Sequence, residues 1–159
     1  MTDFPGLLHR LASQEVRYII VGGAAATAHG SARLTLDLDI VYERSDDNIS
    51  RLVLALQDIA PYMRGAPPGL PFRFDHATVK RGLNFTLSTT LGALDALGEV
   101  TGGGNYEALY PHTDRVDLFG VTCLCVDLVT LIRLKRAAGR PKDLEVIAEL
   151  ETIADEQGP

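Results

Sequence analysis

The sequence predicts an α/β protein with a mixed sheet flanked by helices, and three observations carry the prediction. A compact β-branched run at 16–21 is broken by Gly22-Gly23. An alternating run at 34–42 follows, with helix-forming residues between the two. Further short alternating runs then give way to two closing helical patterns, so strands and helices interleave without a repeat.

Each element has its own signal. Residues 4–14 place Leu7, Leu8 and Leu11 on one face of a short amphipathic helix. Residues 24–29 form a helix stopped by Gly30. In the 34–42 strand, Leu36, Leu38 and Ile40 share one side while Asp37 and Asp39 share the other. Ser45 caps a helix running through Leu52, Leu56 and Ile59 to the stop at Pro61. A Pro/Gly-rich loop spans 66–71, and the segment after Phe72 carries no clear period. Residues 83–89 and 93–97 form a hairpin turning near Leu91-Gly92. Two more strands fill 115–126 around Gly120. Asp127 caps a helix that ends at Gly139, and Pro141 opens the last one. No linker divides the chain, so residues 1–159 are expected to form one domain.

Composition narrows the function classes. The hydrophobic share is 46% and mean hydropathy is +0.08, an ordinary globular balance. Net charge is −6, so any grip on nucleic acid must come from a local patch. Cys123 and Cys125, two apart on one strand, are poorly placed to bridge each other. No run is long and apolar enough to span a bilayer, and the first ten residues lack a leader's layout. These features predict a soluble cytoplasmic protein with no membrane partner.

The chemistry concentrates in Gly22-Gly23 and Asp37-Leu38-Asp39. Glycines at a strand-to-helix turn let backbone approach a phosphate closely. Two carboxylates at i and i+2 on a strand leave the same face. Such a pair is costly without a cation, and Mg²⁺ takes oxygen ligands while leaving part of its shell for phosphates.

Val21-Gly22-Gly23, a helix, and then Asp37-Leu38-Asp39-Ile40 resemble the signature of the nucleotidyltransferase superfamily. His29-Gly30, Arg33 and Thr35 between these motifs resemble its abortive-infection toxin branch, the AbiEii and MenT-type proteins. So does the later run from Lys135-Arg136 to Arg140-Pro141-Lys142-Asp143. The chain is shorter than AbiEii proteins, which add a helical domain.

The resemblance implies a polymerase-β-like fold and transfer of a nucleoside monophosphate from an NTP to an acceptor hydroxyl. It implies Asp37 and Asp39 as ligands of Mg²⁺ or Mn²⁺, with a third carboxylate on the strand beside them. Asp95, flanked by Leu94 and Ala96, fits that place better than Asp117. Gly22, Gly23, Ser31 and Arg33 are implied at the phosphates, with Lys135 and Lys142 as their cations. The implied acceptor is a tRNA 3′ end, in a toxin with a neighbouring antitoxin. A protein hydroxyl and a small molecule are the alternatives, and a non-catalytic nucleotide-binding module is the reading from another class.

Overall fold

The computed structural model describes residues 1–158. In chain order the elements are α1 (Phe4–Ser13), β1 (Tyr18–Val21), α2 (Gly22–Ala28), β2 (Asp37–Tyr42), α3 (Asp46–Leu56) and β3 (Tyr62–Met63). Then come α4 (His76–Arg81), β4 (Phe85–Thr89), β5 (Gly92–Leu97), β6 (Glu99–Val100) and β7 (Gly104–Asn105). The chain closes with α5 (Tyr106–Leu109), β8 (Thr113–Leu118), β9 (Val121–Val126), α6 (Leu128–Ala138) and α7 (Pro141–Glu156).

Seven strands form one mixed sheet in the order β3-β4-β5-β2-β1-β9-β8. β2 lies antiparallel to β1 but parallel to β5, and β1 is parallel to β9. The central strands carry the core: Ile19, Ile20, Leu38, Ile40, Leu94 and Ala96 are fully buried or nearly so. α2 packs with α6, and α6 with α7; α1 and α4 both pack with α3. Among the described residues no helix is long and apolar enough to cross a membrane.

The local signals act as expected at several ends. Ser45 accepts from the Asn48 amide and Asp127 from the Thr130 amide, each capping its helix. Gly139 ends α6 in the left-handed region, at φ +65°. Cys123 and Cys125 are both free and buried. His29 Nε2 meets the Val126 carbonyl at 2.7 Å, tying the end of α2 to β9.

Several boundaries differ from the sequence expectation: the strands expected from 16 and 83 begin at Tyr18 and Phe85, and the one expected from 115 begins at Thr113. The strand expected at 34–42 begins only at Asp37. Its partners impose this: β1 reaches Asp39 with Val21, and β5 reaches Asp37 with Ala93, leaving 34–36 nothing to pair with. Leu36, expected on the buried side with Leu38, is therefore 58% exposed. α2 starts at Gly22 rather than Ala24, so both glycines fall in its first turn, Gly22 with a left-handed φ of +67°. The helix expected through Ile59 stops at Leu56 and finishes as a single 3₁₀ turn.

Candidate active site

The site begins with strand register. In the parallel β2–β5 pair Asp39 stands opposite Asp95, and Asp37 opposite Ala93. Side chains alternate along each strand, so all three carboxylates leave the same face. One oxygen from each lies within 4.8 Å of the others. Asp117, the other candidate, sits on the outer strand β8 and accepts from Thr122 at 2.8 Å. Two strands, β1 and β9, separate it from β2.

The glycines belong to this cluster for a steric reason. Gly22 has φ +67°, and a Cβ there would collide with the Asp39 carboxylate. A Cβ on Gly23 would meet Thr35 Oγ1 at 2.5 Å. Any side chain at either position pushes on β2 or on the loop before it. The turn after β1 is thus shaped around Asp39 itself.

Burial raises the Asp39 pKa to about 7, with the charges of Asp95 and Asp37 adding to the effect. Its Oδ1 is buried without a hydrogen-bond partner. A buried unpaired carboxylate oxygen is expensive, and a divalent cation would relieve both the orphaned oxygen and the mutual repulsion. The all-oxygen donor set suits Mg²⁺ or Mn²⁺. The three carboxylates therefore fit the group the sequence implied.

Sequence reasoning missed Arg64. It follows the two-residue edge strand β3, where no periodicity marks it. Its Nη2 donates to Asp95 Oδ1 and, at 2.9 Å, to the Leu87 carbonyl. Its Nη1 lies 3.6 Å from Asp37 Oδ2. A guanidinium thus bridges two of the three carboxylates.

The other cations arrive from α6 and α7. Asp143 is fully buried at the start of α7 and collects them. Arg140 donates to it through Nε at 2.6 Å and Nη2 at 3.1 Å, and Lys135 Nζ lies 3.4 Å away. Burial pushes the Asp143 pKa up, but hydrogen bonds from Arg140 and the charge of Lys135 outweigh it and hold it low. Asp143 is therefore an ionised anchor that fixes both cations over the cluster.

Two cavities flank Asp39 and share Asp39, Lys135 and Arg140 in their walls. The larger, about 530 Å³, adds Arg33, Lys142, Asp37, Asp95 and Gly23. The smaller, about 380 Å³, adds Gly22, Glu99, Thr101 and the apolar side chains of Leu97, Leu131 and Leu134. Every site residue read from the sequence touches one or both. Besides Asp37, Asp95 and Lys135, two more of them are engaged within the fold. Ser31 donates to Glu149 at 2.6 Å, and Arg33 lies 3.5 Å from Glu145.

The structure is thus a mixed α/β sheet that sets three carboxylates beside a cation-lined cavity. Comparison with solved structures gives the fold a name. The chain is similar to the lincosamide antibiotic adenylyltransferase LnuA, solved with lincomycin bound, at TM-score 0.61 and 16% identity over 92% of each chain. It is also similar to a Thermotoga maritima protein assigned as a nucleotidyltransferase, at TM-score 0.56 and 11% identity, over 92% of this chain and 88% of that one. No protein-family profile matches the sequence. No curated protein sequence matches it either. The chain has the nucleotidyltransferase fold.

Proposed function

We propose that the protein transfers a nucleoside monophosphate from an NTP to an acceptor hydroxyl, releasing pyrophosphate, as one domain in the cytoplasm. The observation that carries the reading is the triad of Asp37, Asp39 and Asp95, gathered within 4.8 Å beside a cavity whose remaining charges are cations. Asp37, Asp39 and Asp95 would hold Mg²⁺ or Mn²⁺, which supplies Lewis-acid stabilisation to the oxygens around the α-phosphorus.

The chain's own residues do the rest. Lys135 and Arg140, held by Asp143, attract the polyphosphate, and Arg33 and Lys142 extend that attraction along the larger cavity. Gly23 and Ser31 line that cavity and would border the phosphates, and Gly22 would meet them beside Asp39, on the side of the smaller cavity. The acceptor oxygen forms a bond to the α-phosphorus while the bond to the bridging oxygen breaks. The acceptor proton leaves to a carboxylate, with Asp95 in the place the resemblance assigns to that role. Position and charge supply the catalysis.

The toxin-branch resemblance implies a tRNA 3′ end as the acceptor, countered by a cognate antitoxin. A second reading, a small-molecule acceptor, is favoured by LnuA, the fold neighbour solved with lincomycin. The test is incubation with α-³²P-labelled NTPs, Mn²⁺ and cell extract. The wild type should label an acceptor and Asp39→Asn should not. Equal labelling by the two, with both folded, would sink the reading.

A further inference from the structure

We propose that the smaller cavity is the acceptor site, and that it takes a low-molecular-weight hydroxyl compound, uncharged or cationic, with one apolar face. The inference rests on the NMP-transfer reading and deepens it. It starts from how charge divides between the two cavities. Setting aside the shared Asp39, Lys135 and Arg140, the larger cavity keeps two cations, Arg33 and Lys142, beside Asp37 and Asp95. The smaller keeps none. Its own charged side chains are Glu99, which is exposed, and Asp143, which is already ion-paired. A triphosphate therefore belongs in the larger cavity.

The nucleoside has a place there too. Leu34 and Leu36 line the same cavity and are 79% and 58% exposed, an unusual apolar surface beside so many charges. A base can cover them while the phosphates reach the cations.

Stereochemistry then assigns the smaller cavity. Displacement at phosphorus is in line, so the attacking hydroxyl enters opposite the departing pyrophosphate. Pyrophosphate on the side of Arg33 and Lys142 puts the acceptor across Asp39, in the smaller cavity. Leu97, Val100, Leu131 and Leu134 give that cavity apolar walls, and Glu99 and Asn84 give it polar groups at the edge. The Asn84 carbonyl oxygen already accepts from the Gly98 amide at 2.8 Å, which leaves its NH₂ to donate. A volume of about 380 Å³ suits a small molecule. An RNA end would bring phosphates past Glu99 with no unshared cation to meet them.

The experiment separates this proposal from the reading beneath it. Thr101→Trp places a large side chain at an exposed position on the smaller cavity's wall, and Lys142→Glu reverses a charge on the larger one. Affinity for α,β-methylene-ATP with Mn²⁺ is measured first. Label transfer from α-³²P-ATP is then measured with a cell extract split at about 3 kDa. The expected result is label in the low-mass fraction, lost at least tenfold in Thr101→Trp, whose affinity for the analogue changes less than twofold. Lys142→Glu should instead lose analogue affinity. Label confined to RNA or protein, or absent while the analogue binds, overturns the acceptor proposal. Thr101→Trp weakening the analogue as much as Lys142→Glu does gives the cavity to the nucleoside and also overturns it. Failure of wild-type protein to bind this analogue or its counterparts with the other three bases removes the NMP-transfer reading itself.

Discussion

At the scale of single residues, Asp39 is the most informative position. Its carboxyl titrates near 7 in the folded protein against an ordinary 3.8, so the fold holds that proton more tightly than the unfolded chain does. The contribution of this group to stability therefore falls as pH rises from 3.8 to about 7. Asp39→Asn removes the charge, and without divalent metal it should raise stability at pH 8 by about 1–3 kcal/mol. At pH 4.5 the gain should shrink towards zero, and urea melts at the two pH values measure the difference. Arg64 makes the opposite case. It neutralises Asp95 and approaches Asp37, so Arg64→Ala leaves three carboxylates facing one another. That variant should lose about 1–3 kcal/mol in EDTA, as expected for a part-buried charge left unpaired. It should also show a larger rise in Tm on adding Mn²⁺ than wild type does. Equal metal-induced shifts in the two proteins would show that Arg64 does not balance the cluster.

At the scale of elements, the junction of α6 and α7 is built on Asp143. Its side chain is fully buried and serves the Arg140 backbone, the Arg140 guanidinium and Lys135 at once. Asp143→Ala should destabilise the fold at the low end of the ~3–5 kcal/mol typical of a broken buried pair, because Arg140 can turn to solvent. Asp143→Asn should recover part of that loss in a chemical melt, since the amide still accepts from the Arg140 backbone. The same elements show what the sequence makes legible. Strands with strong alternation, capped helices and the hairpin at Leu91-Gly92 follow from local patterns, and they give the element order and the mixed sheet. Asp37 and Asp39 were readable because a two-residue period fixes the face they share. Asp95 needed more, since its nearness to Asp39 depends on β5 lying parallel beside β2. No local pattern encodes that pairing, and it came from the resemblance. Arg64 was invisible for the same reason in stronger form: a two-residue edge strand has no period, and its partner lies thirty-one positions away. The helix His76–Arg81 is too short to show an amphipathic repeat and was missed likewise.

At the scale of the whole molecule, an acidic chain with net charge −6 gathers Arg33, Lys135, Arg140 and Lys142 around a single cavity. A nucleotide bound there would bridge β2, β5, α6 and the start of α7, elements far apart in sequence and gathered only in the folded state, so above Kd the Tm should rise with the logarithm of ligand concentration. Lys135 sits at the centre of the arrangement, in the walls of both cavities, with its side chain only 14% exposed. Removing it leaves Asp143 paired with Arg140, so Lys135→Ala should fold. A charge-assisted contact to phosphate contributes about 1.5–3 kcal/mol, which corresponds to roughly a tenfold to hundredfold loss of affinity. Ionic strength adds a second readout, because the field of the cluster acts on a polyanion and salt screens it. Wild-type affinity for α,β-methylene-ATP should fall steeply between 50 and 300 mM KCl, and the Lys135→Ala slope should be shallower. Lys80→Ala supplies the control: Lys80 is exposed, pairs with Asp46 on α3 and lines neither cavity. If Lys80→Ala and Lys135→Ala lower affinity equally, the attraction belongs to net charge alone and not to the arrangement over Asp39.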